Sequence, residues 1–173
     1  MEDTVKHILS KTNDSELTNV QEGDSQPNAV DLRVSKIFKM DGQFLISEDK
    51  KVHRSTEELI PDEKDWWSLD TGVYEIVMEN IVSVGEGYAG FVITRSTLNR
   101  NGVFITSGLY DSGYHGVMAG ALHVRGGKTF IKKGTRVGQF IMFEAETLSL
   151  YDGSYGIGKQ HDNKYGEVSG NKH

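Results

Sequence analysis

GFVITRSTLNRNGVFITSGLYDSGYHGVMAGALHV, residues 90–124, alternates short apolar runs with polar turns. Phe91 to Ile93 and Val103 to Ile105 read as strands on either side of the polar pair Arg95-Ser96. A second turn, Gly108 to Gly116, then presents Asp111 and Tyr114 together. A guanidinium, a hydroxyl, a carboxylate and an aromatic ring are thus confined to one short piece of chain. That set suits a phosphorylated, ring-bearing ligand with a base beside it.

The same texture continues outward. Val73 to Met78, Ile81 to Val84 and Tyr88 to Ile93 alternate with the strand period, with glycines between them. Gly116 to Val124 and Thr129 to Ile131 give two strands joined through Gly126-Gly127. After the turn Lys132-Lys133-Gly134-Thr135, Arg136 to Ala145 is an apolar strand interrupted by Gln139. Upstream, Pro27 fixes the chain before a run in which Val30, Leu32 and Val34 share one face. Asp31 and Arg33 share the other, which taken alone is an ordinary solvated face. Ile37 to Ile46 reads as two short strands around the tight turn Asp41-Gly42. Gly85 to Gly90 has no phosphate-loop lysine and opens no helix, so it reads as a turn. Many short strands at regular turn spacing predict an all-β sandwich or barrel.

Three segments depart from this pattern. Residues 1–24 are mostly polar, and the spacing of Val5, Ile8 and Leu9 suits one short helix before a loop. Residues 49–70 are charged, contain Pro61 and the pair Trp66-Trp67, and read as a long surface loop or insertion whose indoles fold back on the body. Residues 151–173 are rich in glycine and tyrosine without an apolar stripe, and alone should be mobile. The chain therefore divides into one β domain over 1–150 and a flexible C-terminal tail over 151–173.

Composition bounds the function. A chain of 173 residues is of single-domain size and long enough to bury a core, and its hydrophobic content of 36% leaves polar ends. The net charge of −6 argues against a surface for a nucleic-acid polymer, which relies on clustered Lys and Arg; a single nucleotide needs only a few cations in a pocket. With no cysteine, disulfides and thiolate chemistry are excluded, and a reducing compartment fits. No apolar run approaches the ~20 residues of a membrane span, and charges stand where a signal peptide would be apolar. A soluble, cytoplasmic protein is expected. The six histidines show no close metal-ligand spacing, which disfavours a zinc site.

Four segments, in order and at fitting spacing, resemble the motifs of the trimeric dUTPase and dCTP deaminase superfamily. They are Gln26-Pro27-Asn28-Ala29-Val30-Asp31-Leu32-Arg33, Arg95-Ser96-Thr97-Leu98 with Arg100, Gly108 to Gly116, and Gly134-Thr135-Arg136-Val137-Gly138-Gln139. The tail, with Tyr155-Gly156-Ile157-Gly158 and Lys164-Tyr165-Gly166, resembles the fifth motif loosely. The resemblance implies a distorted jelly-roll β fold that assembles as a homotrimer, with sites at subunit boundaries. It implies that Asp111 orients and deprotonates the attacking water and that Tyr114 lies against the deoxyribose. Arg95 and Ser96, with Thr97 and Arg100 of the same motif, would hold phosphates or the interface, and Gln139 would donate its amide to a phosphate. The hairpin from Gly108 to Tyr114 would choose the base largely by backbone groups. Tyr155, Lys164 and Tyr165 would belong to a closing lid. Asp31 would act through water around a hydrated Mg²⁺, an ion that keeps several waters when substrate phosphates hold it.

The two branches of that superfamily differ in one carboxylate. Deaminases carry a glutamate ten residues beyond the third-motif aspartate; here that position is Ala121, and no carboxylate occurs between Asp111 and Glu144. The retained Gln139 agrees with a hydrolase, whereas Gln26-Pro27, Gly113 and Lys164-Tyr165 lean toward the deaminase side. The expected reaction is Mg²⁺-dependent hydrolysis of a pyrimidine deoxynucleoside triphosphate, dUTP first, to the monophosphate and pyrophosphate. The alternatives are a dCTP deaminase-like enzyme, a pyrophosphatase for a modified pyrimidine nucleotide, a nucleotide-responsive regulatory protein without turnover, and a non-nucleotide β-sandwich.

Overall fold

The computed structural model describes residues 5–11 and 13–166. Along the chain run β1 (Val5–Lys6), β2 (Glu16–Leu17), β3 (Val30–Asp41), β4 (Leu45–Ile46), β5 (Lys51–Val52), β6 (Ser55–Glu58), β7 (Trp66–Leu69), β8 (Gly72–Ser83) and β9 (Tyr88–Thr94). A single helical turn, α1 (Ser96–Asn99), precedes β10 (Val103–Thr106), β11 (His115–Val124), β12 (Thr129–Lys132) and β13 (Arg136–Glu144), and a 3-10 turn closes the described tail at Gln160–Tyr165. The all-β class read from the alternation is the class observed.

β3 joins the two halves of the fold. Val30–Arg33 pair with β13, whereas Val34–Lys39 pair with β8, so one strand passes from one layer to the other. The main sheet runs β1-β13-β3-β8-β11-β10, with β9 on β13, β6 on β3 and β2 on β8. Register shifts at Arg136/Gly138, Val34/Lys36 and Val117/Ala119 bend the sheet where it must curl, as bulges do. The enclosed core holds Leu32, Ile76, Met78, Met118, Leu122, Phe140 and Met142, all essentially inaccessible. A second, smaller cluster of Phe38, Val77, Ile81, Val117 and Tyr165 lies on the outer face of β8 and β11. Both faces of β8 are therefore buried, which explains the near-continuous apolar run from Ile76 to Met78.

Several local expectations are corrected. The apolar residues near the N-terminus do not make a helix: Val5 and Lys6 pair with Phe143 and Met142, and Ile8 enters the core. A helix that short would be marginal, and an open edge on β13 offers more hydrogen bonds. Ile37 to Asp41 is not a separate strand closed by Asp41-Gly42. β3 continues to Asp41 against β6, and β4 pairs with β5 across Ser47–Lys50. The charged stretch 49–70 is not a bare loop, since it supplies β5, β6 and β7. Of its two indoles, Trp67 is buried and donates Nε1–H to the Leu59 carbonyl at 2.7 Å, while Trp66 is exposed. β7 pairs with β12. Among the described residues, no helix is long and apolar enough to cross a membrane.

Candidate active site

The first group of expected residues gathers where β3 meets β13. Gln139 lies opposite Asp31 in the ladder, and its Nε2 donates to Asp31 Oδ1 at 2.9 Å. The other oxygen faces Arg95 Nε at 3.3 Å and Arg136 Nη1 at 3.2 Å. Asp31 is 0% exposed, so these cationic and amide donors answer the penalty of burying a carboxylate. Asp31 and Arg33 thus do not form a solvated face. Arg33 reaches Asp24 at 2.6 and 3.1 Å and the Gly134 carbonyl at 3.0 Å. Burial works to raise the Asp24 pKa, but hydrogen bonds from Arg33 and the Gln21 N–H, with the charges of Arg33 and Arg136, hold it below the ordinary value. The Arg33 guanidinium is correspondingly held protonated by Asp24.

This placement differs from the metal-facing role expected of Asp31. Both of its oxygens are taken within the chain, and among the described residues no group of three or more His, Cys, Asp or Glu is arranged to hold a metal ion. The donor set does not fit a resident cation at Asp31. Arg95, which precedes α1, is the bridge from this cluster to the second motif, while Ser96, Thr97 and Arg100 are exposed on the outside of the protomer.

The second group surrounds a cavity of about 430 Å³ on the outer face of β8 and β11. Gly108, Tyr110, Tyr114 and Ala119 line one side, Glu75 a wall, and the tail residues Tyr155, His161, Asp162 and Tyr165 the other side. The Tyr114 hydroxyl donates to the Val117 carbonyl at 2.6 Å, and its ring stands 5.0 Å from Tyr110 and edge-on to Tyr151 at 5.4 Å. Burial pushes the Tyr110 and Tyr114 phenols well above their ordinary value, so both are neutral.

The tail is held across this cavity by specific bonds. Ile157 N–H donates to the His115 carbonyl at 3.0 Å, Tyr151 N–H to that of Ser112 at 2.8 Å, and Gly156 N–H to Asp162 at 2.7 Å. Gly116 permits the approach: a Cβ there would lie 2.7 Å from the Gly156 Cα. Tyr165 is buried against Phe38 at 5.9 Å, and burial and the charge of Glu75 raise its pKa. Lys164 lies 3.0 Å from both Glu75 oxygens. His53 and His161 face each other at 4.6 Å, and burial, then His161, lowers the His53 pKa. Residues 151–166 are therefore packed on the body; the rest of the expected tail, 167–173, lies outside the described residues.

Asp111 stands apart from both groups. It is exposed, in a neighbouring groove of about 410 Å³ closed by residues 145–152, and this groove shares Leu109 and Tyr151 with the tyrosine-lined cavity. Its carbonyl accepts the Tyr114 N–H at 3.0 Å, which makes the turn, but its carboxylate has no hydrogen bond or ion pair among the described residues. A turn-capping role for that side chain is thus not what the geometry shows. One protomer joins Asp31, Arg95 and Gln139, and separately Gly108, Tyr114, Tyr155, Lys164 and Tyr165. It leaves Asp111 beside the second set and Ser96, Thr97 and Arg100 facing away.

Glu75, His53, His161 and Asp162 were not anticipated. The strand alternation does put Glu75 on the face opposite Ile76, but only the ladder shows that its cross-strand neighbour is Ala121.

The profile of the dCTP deaminase-like family matches residues 2–145. A deoxyuridine 5'-triphosphate nucleotidohydrolase of Methanocaldococcus jannaschii is 33% identical over 152 residues, spanning 86% of this chain and 97% of its own length. A probable deoxyuridine 5'-triphosphate nucleotidohydrolase of Methanothermobacter thermautotrophicus is 32% identical over 132 residues, 75% of this chain and 86% of its own. Among solved structures, the 2'-deoxycytidine 5'-triphosphate deaminase of Agrobacterium tumefaciens superposes with a TM-score of 0.60 at 17% identity, over 77% of this chain and 44% of that one. A dUTPase variant of Staphylococcus bacteriophage 80alpha gives 0.50 at 16% identity, over 83% and 99%. At those identities the structural likeness concerns the fold.

Proposed function

The chain belongs to the dCTP deaminase-like family, and from that premise we propose that it hydrolyses a pyrimidine deoxynucleoside triphosphate, dUTP first, to the monophosphate and pyrophosphate. The observation that carries this reading is the uncommitted, exposed carboxylate of Asp111 in a groove that shares Leu109 and Tyr151 with the nucleotide-sized cavity walled by Tyr114. The small Ala121 and the relatives named as dUTP nucleotidohydrolases favour hydrolysis over deamination.

In this reading the nucleoside enters between Tyr114 and the tail residues Tyr155 and Tyr165. Asp111 holds a water in line with the α-phosphorus and takes its proton as the new P–O bond forms. The bond to the β-phosphate oxygen breaks, and the electron pair leaves with pyrophosphate. Mg²⁺ belongs here as part of the substrate: an ion carried on the triphosphate keeps its own waters and needs no protein cage. Gln139 has a second amide N–H beyond the one given to Asp31, available to a phosphate oxygen. Ser96, Thr97 and Arg100, which face away from their own cavity, serve a neighbouring protomer's triphosphate in a homotrimer, and this outward placement supports the assembly.

A panel of dNTPs with Mg²⁺, followed for pyrophosphate and ammonia on the same samples, tests the proposal. Pyrophosphate from dUTP without ammonia from dCTP is expected. Ammonia at a turnover rate, or no pyrophosphate from any dNTP, would overturn it.

A further inference from the structure

At the tyrosine-lined cavity, segment 49–70 meets the tail through two imidazoles. His53 lies between β5 and β6 and lines the cavity, and its ring faces that of His161 on the tail's 3-10 turn at 4.6 Å. The body side of this pair is anchored. Arg54 donates to the Gly42 carbonyl, the Ser55 hydroxyl donates to that of Asp41 at 3.2 Å, and the Phe44 ring stands 6.5 Å from His53. His161 is in turn a hub of the tail. Tyr155 meets it edge-on at 4.7 Å, and its Nδ1 lies 3.2 Å from Asp162, whose other oxygen accepts the Gly156 N–H. Whatever displaces His161 therefore disturbs the loop that covers the cavity. Among the described residues no group of three or more ligands is arranged for a metal ion, so the two rings meet as side chains and not as ligands.

The charges around the pair offer a proton on His53 no free anion. Asp162 is engaged by His161 and the Gly156 N–H, and Glu75 is held through both oxygens by Lys164 at 3.0 Å and by a hydrogen bond with the Tyr165 side chain. Burial, then the charges of His161, Lys51 and Lys164 against an opposing pull from Glu75, holds the His53 pKa below the ordinary 6.5. We infer that His53 is a positioning residue for the reaction: in its neutral form it holds the tail, through His161, closed over the nucleotide, and its protonation loosens that hold. This deepens the proposed function and rests on it. A base whose pKa is depressed in the closed state stabilises closure fully above its open-state value, and that stabilisation is lost as pH falls through the closed-state one. The contribution of His53 is thus complete above about pH 7.5 and fades from about pH 6.5 downward.

The test follows amide hydrogen exchange at Gly156 and Ile157, whose N–H groups are bonded in the docked tail. Wild type, His53→Phe and His53→Ala are compared with one another at pH 7.5 and again at pH 5.5, with KM and kcat for dUTP on the same preparations and melting temperature as the control for folding. His53→Phe keeps a ring that cannot be protonated. At pH 5.5 wild type should therefore exchange at least about threefold faster than His53→Phe and show a correspondingly higher KM, and both gaps should narrow at pH 7.5. His53→Ala, without the ring, should exchange about 2–10-fold faster than His53→Phe at both pH values. Should His53→Phe fail to fold, His161→Phe removes the other half of the pair and carries the same expectation. Equal exchange in wild type and folded His53→Phe at pH 5.5, or a loosened tail with KM unmoved, would overturn the role of His53 while dUTP turnover leaves the hydrolase reading standing. If exchange separates as expected but no dNTP yields pyrophosphate, the hydrolase reading fails and His53 still holds the tail.

Discussion

Asp31 and Asp111 sit in similar settings in sequence, each an aspartate in a short motif beside a strand, and the fold treats them in opposite ways. Asp31 is wholly buried and answered by Gln139, Arg95 and Arg136, donors from two other segments. Asp111 is exposed, with its carboxylate uncommitted beside the cavity that Tyr114 lines. A carboxylate that is wholly buried and held by donors inside the chain can hold the frame, but it is closed off from a water that would have to reach substrate. One that leaves its turn to the backbone keeps its oxygens for chemistry. Under the proposed function the first is structural and the second reacts, and that division can be broken by experiment.

The largest effect should fall on Asp111. Asp111→Asn is nearly isosteric, so melting temperature and nucleotide affinity should persist while kcat falls by about 10²–10⁴-fold. Single-turnover rate, binding and melting measured on one preparation check this. A lower melting temperature with an unchanged rate would reverse the assignment of the two aspartates.

Asp31→Asn should do the converse. Removing the buried charge leaves two guanidinium groups unanswered, at about 3 kcal/mol, the low end of the range for broken buried pairs because Arg95 and Arg136 are 31% and 34% exposed. For a domain of this size that is a fall of about 6–10 °C in Tm. A variant that melts like wild type yet loses all turnover would make Asp31 a reacting group and return it to the metal-facing role.

Truncation after Tyr151 probes the other side of the contrast, since it strips the cavity of Tyr155, His161 and Tyr165 but leaves the Asp31 cluster untouched. The variant should keep its β-sheet circular dichroism, melt a few degrees lower through exposure of Phe38 and Val117, and lose about tenfold or more in kcat/KM. Full activity in the truncated chain would show that the tail does not close on substrate.

How far these features could be read from sequence depends on whether their physics is local. The strands from Tyr88 to Val124 were legible because alternation is written residue by residue, and the pair Asp111 and Tyr114 because a single turn presents it. Burial of Asp31 was not legible, since it depends on arginines from β13 and from the turn before α1. The pairing of Glu75 with Ala121 was equally hidden: it needs the β8–β11 register, which a shift between Val117 and Ala119 resets. The packed tail was missed because its apolar partners, Phe38 and Val117, are side chains of distant strands. Its own composition lacks a stripe because one tyrosine, Tyr165, makes the main apolar contact with the sheet.

The smallest effect, and the finest test of the buried cluster, is its response to acid. Asp24 is inaccessible and paired with Arg33, and its folded pKa lies below the ordinary 3.8 despite the opposing effect of burial. A carboxyl depressed in the folded state contributes stability that is complete above its unfolded value and is lost as pH falls through the folded one. The urea-unfolding free energy of wild type should therefore exceed that of Asp24→Asn by a constant gap between about pH 6 and 5, and the gap should close progressively below about pH 4. Glu79, whose pKa burial raises, titrates in the opposite sense at higher pH, but it is present in both proteins and largely cancels in the difference. A gap that widened on acidification would mean that Asp24 is protonated more easily folded than unfolded, and that the arginines around β3 and β13 do not hold the charges there in place.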